Sequence, residues 1–233
     1  MGPPLQASWF RRGDRAVHVA LVPAKPLPLA KTRLGTMLSD ADRAAVAYAM
    51  FADVVGALTA ATTLDRVLVV TADDRLAAHA RSAGAGVVDE GAPRGLNGAV
   101  ALGTRRAVDQ GATTVLVVLS DIPLLRPADV DELLARLRRP GVTLVPSKEG
   151  TGTNAIVRSP GAVVPTCFGG RSFERHIRAA ERHHVACDIW RNARIGFDVD
   201  VPADLAAFAS AESATATFRE TMRLGLTPLR PSA

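Results

Sequence analysis

The chain has 233 residues, 48% of them hydrophobic, which fits one large domain with a sizeable core better than two small ones. Its net charge is +5, but it has no aromatic-interleaved basic stripe and no long Lys/Arg run, so nucleic-acid binding is not expected. It has no apolar run of the roughly 18 residues that a membrane span needs. Two cysteines without metal-finger spacing suit a cytoplasmic chain with reduced thiols.

The ends of the chain differ from its middle. Residues 1–15 contain prolines and charges without a signal-peptide core, and we expect a flexible leader there. Residues 16–211 carry the alternating pattern of a single α/β domain. Residues 212–233 mix Ser, Thr, Arg and Pro, which predicts a C-terminal tail with a weak helix and a disordered tip.

Short β-rich runs alternate with longer helical patterns along the middle of the chain. Predicted strands are Val17–Val22, Arg66–Thr71, Gly86–Asp89, Val115–Leu119, Val142–Pro146, Ala155–Arg158 and Arg194–Val199. Helices are predicted after the N-cap Ser39 and at Asp73–Ala83, Leu96–Gln110, Pro127–Leu137, Ser172–His184 and Pro202–Phe208. This alternation predicts a Rossmann-like sheet, mostly parallel and partly mixed, with helices on both faces.

In such sheets ligands bind at the carboxyl ends of the strands, so the loops there matter most. The loop after the first strand holds three prolines and the basic residues Lys25, Lys31 and Arg33. It matches neither of the glycine-rich phosphate loops. The three basic side chains could themselves supply positive charge to phosphates. On spacing alone, a solvated basic loop explains the segment equally well.

Three carboxylates follow later strands. Asp121 comes directly after a buried apolar strand, and Asp198 and Asp200 are two residues apart at another predicted strand end. Together they could hold Mg²⁺, which favours one or two carboxylates plus phosphate oxygens. Taken singly, Asp121 is more often a helix cap or turn residue, and Asp200 could cap the helix that begins at Pro202.

Three polar turns complete the candidate site: 93–97, 150–154 and 168–172. The last precedes a helix whose N-terminus could hold an anion. Ordinary turn chemistry with an N-cap explains each of them as well.

These pieces, in this order, resemble the guanylyltransferases that make the phospho-acid part of the deazaflavin coenzyme F-420. The matching stretches are VPAKPLPLAKTRL (22–34), GLNGA (95–99), LSDIPLL (119–125), GTGTNAI (150–156), FGGRSFERH (168–176) and FDVDVPADL (197–205). They span most of the core.

The resemblance implies a nucleotidyltransferase domain that transfers GMP from GTP to a small phosphorylated acid and releases pyrophosphate. It also implies roles for particular residues. Metal would be held by Asp121, Asp198 and Asp200; the triphosphate would contact Lys25, Lys31 and Arg33; the guanine would lie near Gly95 and Asn97; and the acid would meet Thr153, Asn154, Gly169 and Ser172. The Mg²⁺ ion would be the cofactor, and Lys25, Lys31, Arg33 and Asp121 would carry catalysis.

Several alternatives stay open. The acid could be 2-phospholactate, phosphoenolpyruvate or 3-phosphoglycerate, and Arg171 stands where family members often have another residue. The rival functions are another nucleotidyltransferase of the molybdopterin or sugar-phosphate type, a nucleotide-binding module without turnover, and a glycosyltransferase that uses the Asp198–Asp200 pair. A homodimer and a hand-off of product to a downstream transferase are also left open.

Overall fold

The computed structural model describes residues 15–210 and 213–226, so most of the predicted leader and the extreme C-terminus lie outside the described residues. The strands are β1 (His18–Pro23), β2 (Arg66–Thr71), β3 (Gly86–Asp89), β4 (Thr114–Val118), β5 (Gly141–Pro146), β6 (Thr153–Ser159) and β7 (Ala186–Ile189). The helices are α1 (Asp40–Thr59), α2 (Asp74–Ser82), α3 (Gly95–Asp109), α4 (Pro127–Ala135), α5 (Ser172–Arg182), α6 (Pro202–Ala209) and α7 (Ala216–Arg223).

The seven strands form one sheet in the order β3-β2-β1-β4-β6-β5-β7. Strand β6 runs antiparallel to both of its neighbours, and the other pairs are parallel. The chain moves outward from β1 to β2 and β3, then returns to the other side of β1 with β4. This reversal between β1 and β4 is the point at which open α/β sheets bind ligands.

Alternate side chains of the central strands enter two apolar layers, because successive strand residues face opposite sides of a sheet. On β1, Ala20 and Val22 join the core beneath α1, α2 and α4, while Val19 and Leu21 join the core beneath α3 and α5. Helices therefore cover both faces, and the predicted mixed, mostly parallel α/β fold is confirmed.

Helix α3 packs very close to the sheet at Gly103. A Cβ atom there would lie 2.7 Å from a methyl group of Val70 and 3.3 Å from one of Leu21. Only glycine allows this approach, which fixes the helix against β1 and β2. The N-terminus of α3 is thereby held beside the carboxyl ends of these strands.

One predicted strand is wrong. Arg194–Val199 is irregular, and the edge strand is Ala186–Ile189 instead. The irregular segment is held by side chains: buried Asp129 on α4 accepts hydrogen bonds from Asn192 at 2.9 Å and from Arg194 Nε at 2.8 Å. Those hydrogen bonds fix the backbone as a loop, although the alternating apolar residues of this segment are typical of a strand.

The described part of the C-terminal segment forms helix α7, which packs on α1. The Asp53 carboxylate on α1 accepts hydrogen bonds from the backbone N–H groups of Ala216 (2.6 Å) and Thr217 (2.8 Å) and from the Thr217 hydroxyl (2.6 Å). This satisfies N–H groups that a helix N-terminus cannot pair internally. No helix in the described ranges is long and apolar enough to cross a membrane.

We expect Asp53→Ala to lower the free energy of unfolding by roughly 2 kcal/mol, because it leaves the N–H groups of Ala216 and Thr217 without their acceptor. Urea unfolding measures this change. The exposed Asp109 on α3 serves as a control, and Asp109→Ala should change stability by no more than about 0.5 kcal/mol. Equal stability of Asp53→Ala and the wild type would contradict this anchoring role.

Candidate functional site

A cleft of about 440 Å³ opens at the carboxyl ends of β1, β2, β3 and β4. Its walls come from the loop after β1, the segment after β3, the start of α3 and the turn after β4. Six of the residues predicted for the site line it: Lys25, Lys31, Arg33, Gly95, Asp121 and Asp200.

The Lys31 ammonium group lies between two of the predicted metal ligands. Its Nζ is 2.7 Å from Asp121 Oδ2 and 2.6 Å from Asp200 Oδ1, and its side chain is only 9% exposed. Burial alone would lower the pKa of Lys31, but the charges and hydrogen bonds of the two carboxylates outweigh burial and raise it. Lys31 therefore stays charged and ties the loop after β1 to the turn after β4.

The backbone of the loop is held in place by its neighbours. Lys31 adopts a left-handed conformation, with φ 50° and ψ 38°, which is uncommon for a residue with a side chain. Beside it, the buried Arg43 on α1 donates a hydrogen bond of 2.6 Å to the Ala30 carbonyl. The Leu27 N–H donates to Asp73 Oδ2 at 2.9 Å. These contacts stabilise a strained backbone, a feature that clusters at functional sites.

The carboxylates retain capacity for further positive charge. Asp121 Oδ1 is buried and has no hydrogen-bond partner among the described residues, an arrangement that is costly unless a cation or donor reaches it. Burial raises the pKa of Asp198, and so do the negative charges of Asp121 and Asp200, against a hydrogen bond from Asn154. The donor set and the orphaned oxygen fit an oxygen-preferring divalent cation. Still, within the described ranges no three His, Cys, Asp or Glu residues converge as a ready-made ligand cluster.

Two residues predicted for the acid lie at the start of β6. Because β6 is antiparallel, its first residues reach the same edge of the sheet as the end of β4. The Asn154 amide nitrogen donates to Asp198 Oδ1 and to the Ile195 carbonyl, each at 3.0 Å. Thr153 Oγ1 lies 3.0 Å from His176 Nδ1. Both side chains thus support the site from the far side of β4.

The turn before α5 is clamped from three directions. The Asn97 amide pairs with the Phe168 backbone in both directions, at 3.0 and 2.8 Å. His176 Nε2 accepts from the Cys167 N–H at 2.8 Å, and Arg175 donates to the Phe168 carbonyl at 2.9 Å. The turn contains Gly169, whose φ of 107° favours glycine, and leads to the buried Ser172. As positioned, the Asn97 side chain orders this turn and does not line the cleft.

The sequence interpretation missed Lys148. Its Nζ is ion-paired with Asp204, lies 3.5 Å from the Asp198 carbonyl oxygen and 4.6 Å from the centre of the Phe197 ring. It thereby braces the segment that carries two of the predicted metal ligands. The available signal was its position just before the GTGTN stretch. That signal was weak, because a lone lysine in a polar turn is ordinarily solvated.

The arrangement divides the edge of the sheet into two regions. The cleft, with its basic loop, lies over β3, β2 and β1, whereas Thr153, Asn154, Gly169 and Ser172 lie beyond β4. Asp121, Asp198 and Asp200 stand between the two regions. Chemically, a site of this kind can neutralise phosphate charge on one side and hold a second, smaller ligand on the other.

Known proteins resemble this chain over most of its length. A family model described as "Guanylyl transferase CofC like" matches residues 18–232. A phosphoenolpyruvate guanylyltransferase of Rubrobacter xylanophilus is 41% identical over 189 residues, covering 80% of this chain and 91% of that protein. A 2-phospho-L-lactate guanylyltransferase of Methanothermobacter thermautotrophicus is 36% identical over 189 residues, covering 80% and 81%. A 3-phospho-D-glycerate guanylyltransferase of Phenylobacterium zucineum is 36% identical over 178 residues, covering 75% and 82%.

Among solved structures, a nucleotidyl transferase from Methanothermobacter thermautotrophicus superimposes with a TM-score of 0.62. It is 15% identical and covers 82% of this chain and 95% of that one. This likeness supports the fold assignment.

The His176 network predicts a pH dependence of stability. Burial, with the nearby charges of Arg158 and Arg175, lowers the pKa of His176 from 6.5 to about 4. The folded state therefore favours the neutral imidazole, whose contribution is present above pH 6.5 and is lost as pH falls toward 4. We expect His176 to lower the free energy of unfolding by roughly 3 kcal/mol as pH falls through this range.

The measurement is urea unfolding at pH 7 and pH 4.5 for the wild type and His176→Gln, whose amide does not titrate. The difference between the two pH values should shrink in His176→Gln. His183→Gln, at an exposed histidine, should keep the wild-type difference. The same pH dependence in all three proteins would show that His176 does not cause it.

Proposed function

The chain belongs to the family described as "Guanylyl transferase CofC like", and from this premise we propose that it transfers GMP from GTP to a small phosphorylated acid. Its acceptor would be phosphoenolpyruvate, 2-phospholactate or 3-phosphoglycerate, the acids in the names of its relatives. The product would serve coenzyme F-420 biosynthesis. The observation that carries the proposal is the cleft with a basic loop on one wall and Asp121 and Asp200 at its end.

In the proposed reaction, a phosphate oxygen of the acid attacks the α-phosphorus of GTP. A new P–O bond forms, the bond to the β-phosphate oxygen breaks, and pyrophosphate leaves with that electron pair. The attacking phosphate is already ionised near neutral pH, so no general base is required. This agrees with the cleft, where Lys31, Asp121 and Asp200 form charge pairs.

The chain's own residues would act by position and charge. Lys25 and Arg33, which are exposed at the cleft, would contact the triphosphate, and the guanidinium of Arg33 can grip a phosphate with two hydrogen bonds. Lys31 would hold Asp121 and Asp200 in register with the phosphates. Thr153, Asn154, Gly169 and Ser172 would orient the acid from the β6 side.

We further propose that Mg²⁺ is the cofactor, held by Asp121, Asp198 and Asp200. When bound, it would neutralise charge on the phosphates as they react. The orphaned Asp121 Oδ1 and the raised pKa of Asp198 support this assignment.

Both cysteines are free thiols, which suits work in the cytoplasm.

The acid is best identified by a grid of reactions. We expect pyrophosphate release from GTP with one of the three acids and little from ATP, CTP or UTP. The relatives named for the three acids differ too little in identity to choose among them. Release from another nucleotide would favour a different nucleotidyltransferase, and no release anywhere in the grid would favour a binding module.

We expect Asp121→Ala to lower kcat/KM by at least about 10³-fold, because one carboxylate of the proposed cation site and a partner of Lys31 are lost together. Its Mn²⁺ affinity, measured by electron paramagnetic resonance, should fall in parallel. Circular dichroism checks that the protein stays folded. Asp188→Asn, at a carboxylate on β7 far along the sheet, is the control and should behave as wild type. Unchanged Mn²⁺ affinity in Asp121→Ala would rule out its role as a metal ligand.

A further inference from the structure

One carboxylate at the cleft has no part in the proposed chemistry. Glu90 directly follows β3, lines the cleft and is only 5% exposed. One of its oxygens, Oε1, accepts a hydrogen bond of 2.7 Å from the backbone N–H of Arg94, just before α3. The other oxygen makes no hydrogen bond to any described residue, and no described Lys or Arg lies within ion-pair distance.

The Glu90 side chain is largely removed from water, and its second oxygen keeps accessible surface, so that a ligand in the cleft can reach it. Capping the segment before α3 uses one oxygen and would be served equally well by a neutral amide. The second Glu90 oxygen is therefore available to accept a hydrogen bond from a ligand in the cleft. An ionised carboxylate only accepts hydrogen bonds, so its partner must present N–H or O–H groups.

The walls around Glu90 suit a flat aromatic ligand. Leu29 and Leu96 line the same cleft and are 53% and 36% exposed, so both leave apolar surface open to a ligand there. Pro93 also lines the cleft beside them. An aromatic base between such side chains would cover the exposed apolar surface.

The distance across the sheet suits a nucleotide. Glu90 follows β3 and Asp121 follows β4, and the sheet order places two strands between them. Three inter-strand spacings amount to roughly 14 Å. That is about the reach of a nucleotide from the outer edge of its base to its phosphates. A base near Glu90 would thus leave the phosphates near Lys31 and Asp121.

Among the common bases, guanine matches a carboxylate best. Its N1–H and its 2-amino group point the same way as two adjacent donors, which a carboxylate can accept together. Adenine offers a donor beside the N1 lone pair, which would repel the carboxylate. Uracil flanks its N3–H with two carbonyl oxygens, and cytosine places its 4-amino group beside the N3 lone pair.

We propose that Glu90 reads the donor edge of guanine and so determines the nucleotide specificity of the cleft. The inference rests on the proposed function for the presence of a nucleotide, and it adds the residue that selects the base. Glu90 is then a specificity-determining residue that touches the substrate, and its hydrogen bond to Arg94 holds its carboxylate in place.

The test is calorimetric titration of the full chain with GTP, ITP and ATP, each with Mg²⁺. ITP lacks the 2-amino group and keeps N1–H, so it offers one donor in place of two. The wild type should bind GTP about 10-fold more tightly than ITP, and ATP more weakly still. Glu90→Gln keeps the acceptor for Arg94 but should weaken GTP about 100-fold and ITP about 10-fold, so that their affinities converge.

Glu181→Gln, at an exposed carboxylate on α5, is the matched control and should keep the wild-type ratio. If Glu90→Gln does not fold, Glu90→Asp replaces it and should lower the GTP-to-ITP ratio through its shorter reach. An unchanged ratio in the folded variant, or a wild type that binds GTP no better than ATP, overturns the inference.

Pyrophosphate release measured on the same proteins separates the two proposals. Selective GTP binding that depends on Glu90, without turnover on any of the three acids, would defeat the proposed function and leave this inference standing. If Glu90→Gln turns over GTP and keeps the wild-type preference for GTP over ITP, this inference fails and the proposed function stands.

Discussion

The paired contact of Lys31 with Asp121 and Asp200 joins segments that lie 90 and 169 residues apart in the chain. The ammonium is nearly buried, so it must be matched by charge, and removing either carboxylate would leave it with one charged partner in place of two. The left-handed backbone at Lys31 and the hydrogen bond from the buried Arg43 to the Ala30 carbonyl shape the loop that carries this ammonium group. This one ammonium group thus joins the loop after β1 to Asp121 and Asp200 at the end of the cleft.

The same contact leaves the acidic group short of positive charge. Lys31 satisfies one oxygen of Asp121 and one of Asp200, while Asp121 Oδ1 has no partner among the described residues, and burial with the neighbouring carboxylates raises the pKa of Asp198. A site held in this state is organised before any substrate arrives. Preorganised charges stabilise a transition state without rearranging during the reaction, which is how catalysis without a general base can work.

Local pattern predicted most of the fold, because the buried strands are short continuous apolar runs and the helices carry apolar residues at a period of 3.6 residues. It failed at Arg194–Val199, where hydrogen bonds to a distant carboxylate, Asp129, decide the backbone. It also missed β7, a short edge strand whose residues are mostly exposed. In the site, sequence identified the charged residues at the strand ends. It could not foresee that Lys31 contacts the carboxylates directly, or that Glu90 is buried, since DEGAPRG reads as a turn.

The strand order gives the proposed reaction a direction. In-line transfer requires the attacking oxygen and the departing pyrophosphate to lie on opposite sides of the α-phosphorus. The residues proposed for the acid reach the edge of the sheet from β6, and the basic loop reaches it from β1, with β4 and Asp121 between them. A phosphorus atom near Asp121 would therefore be approached from the β6 side and left toward Lys25 and Arg33.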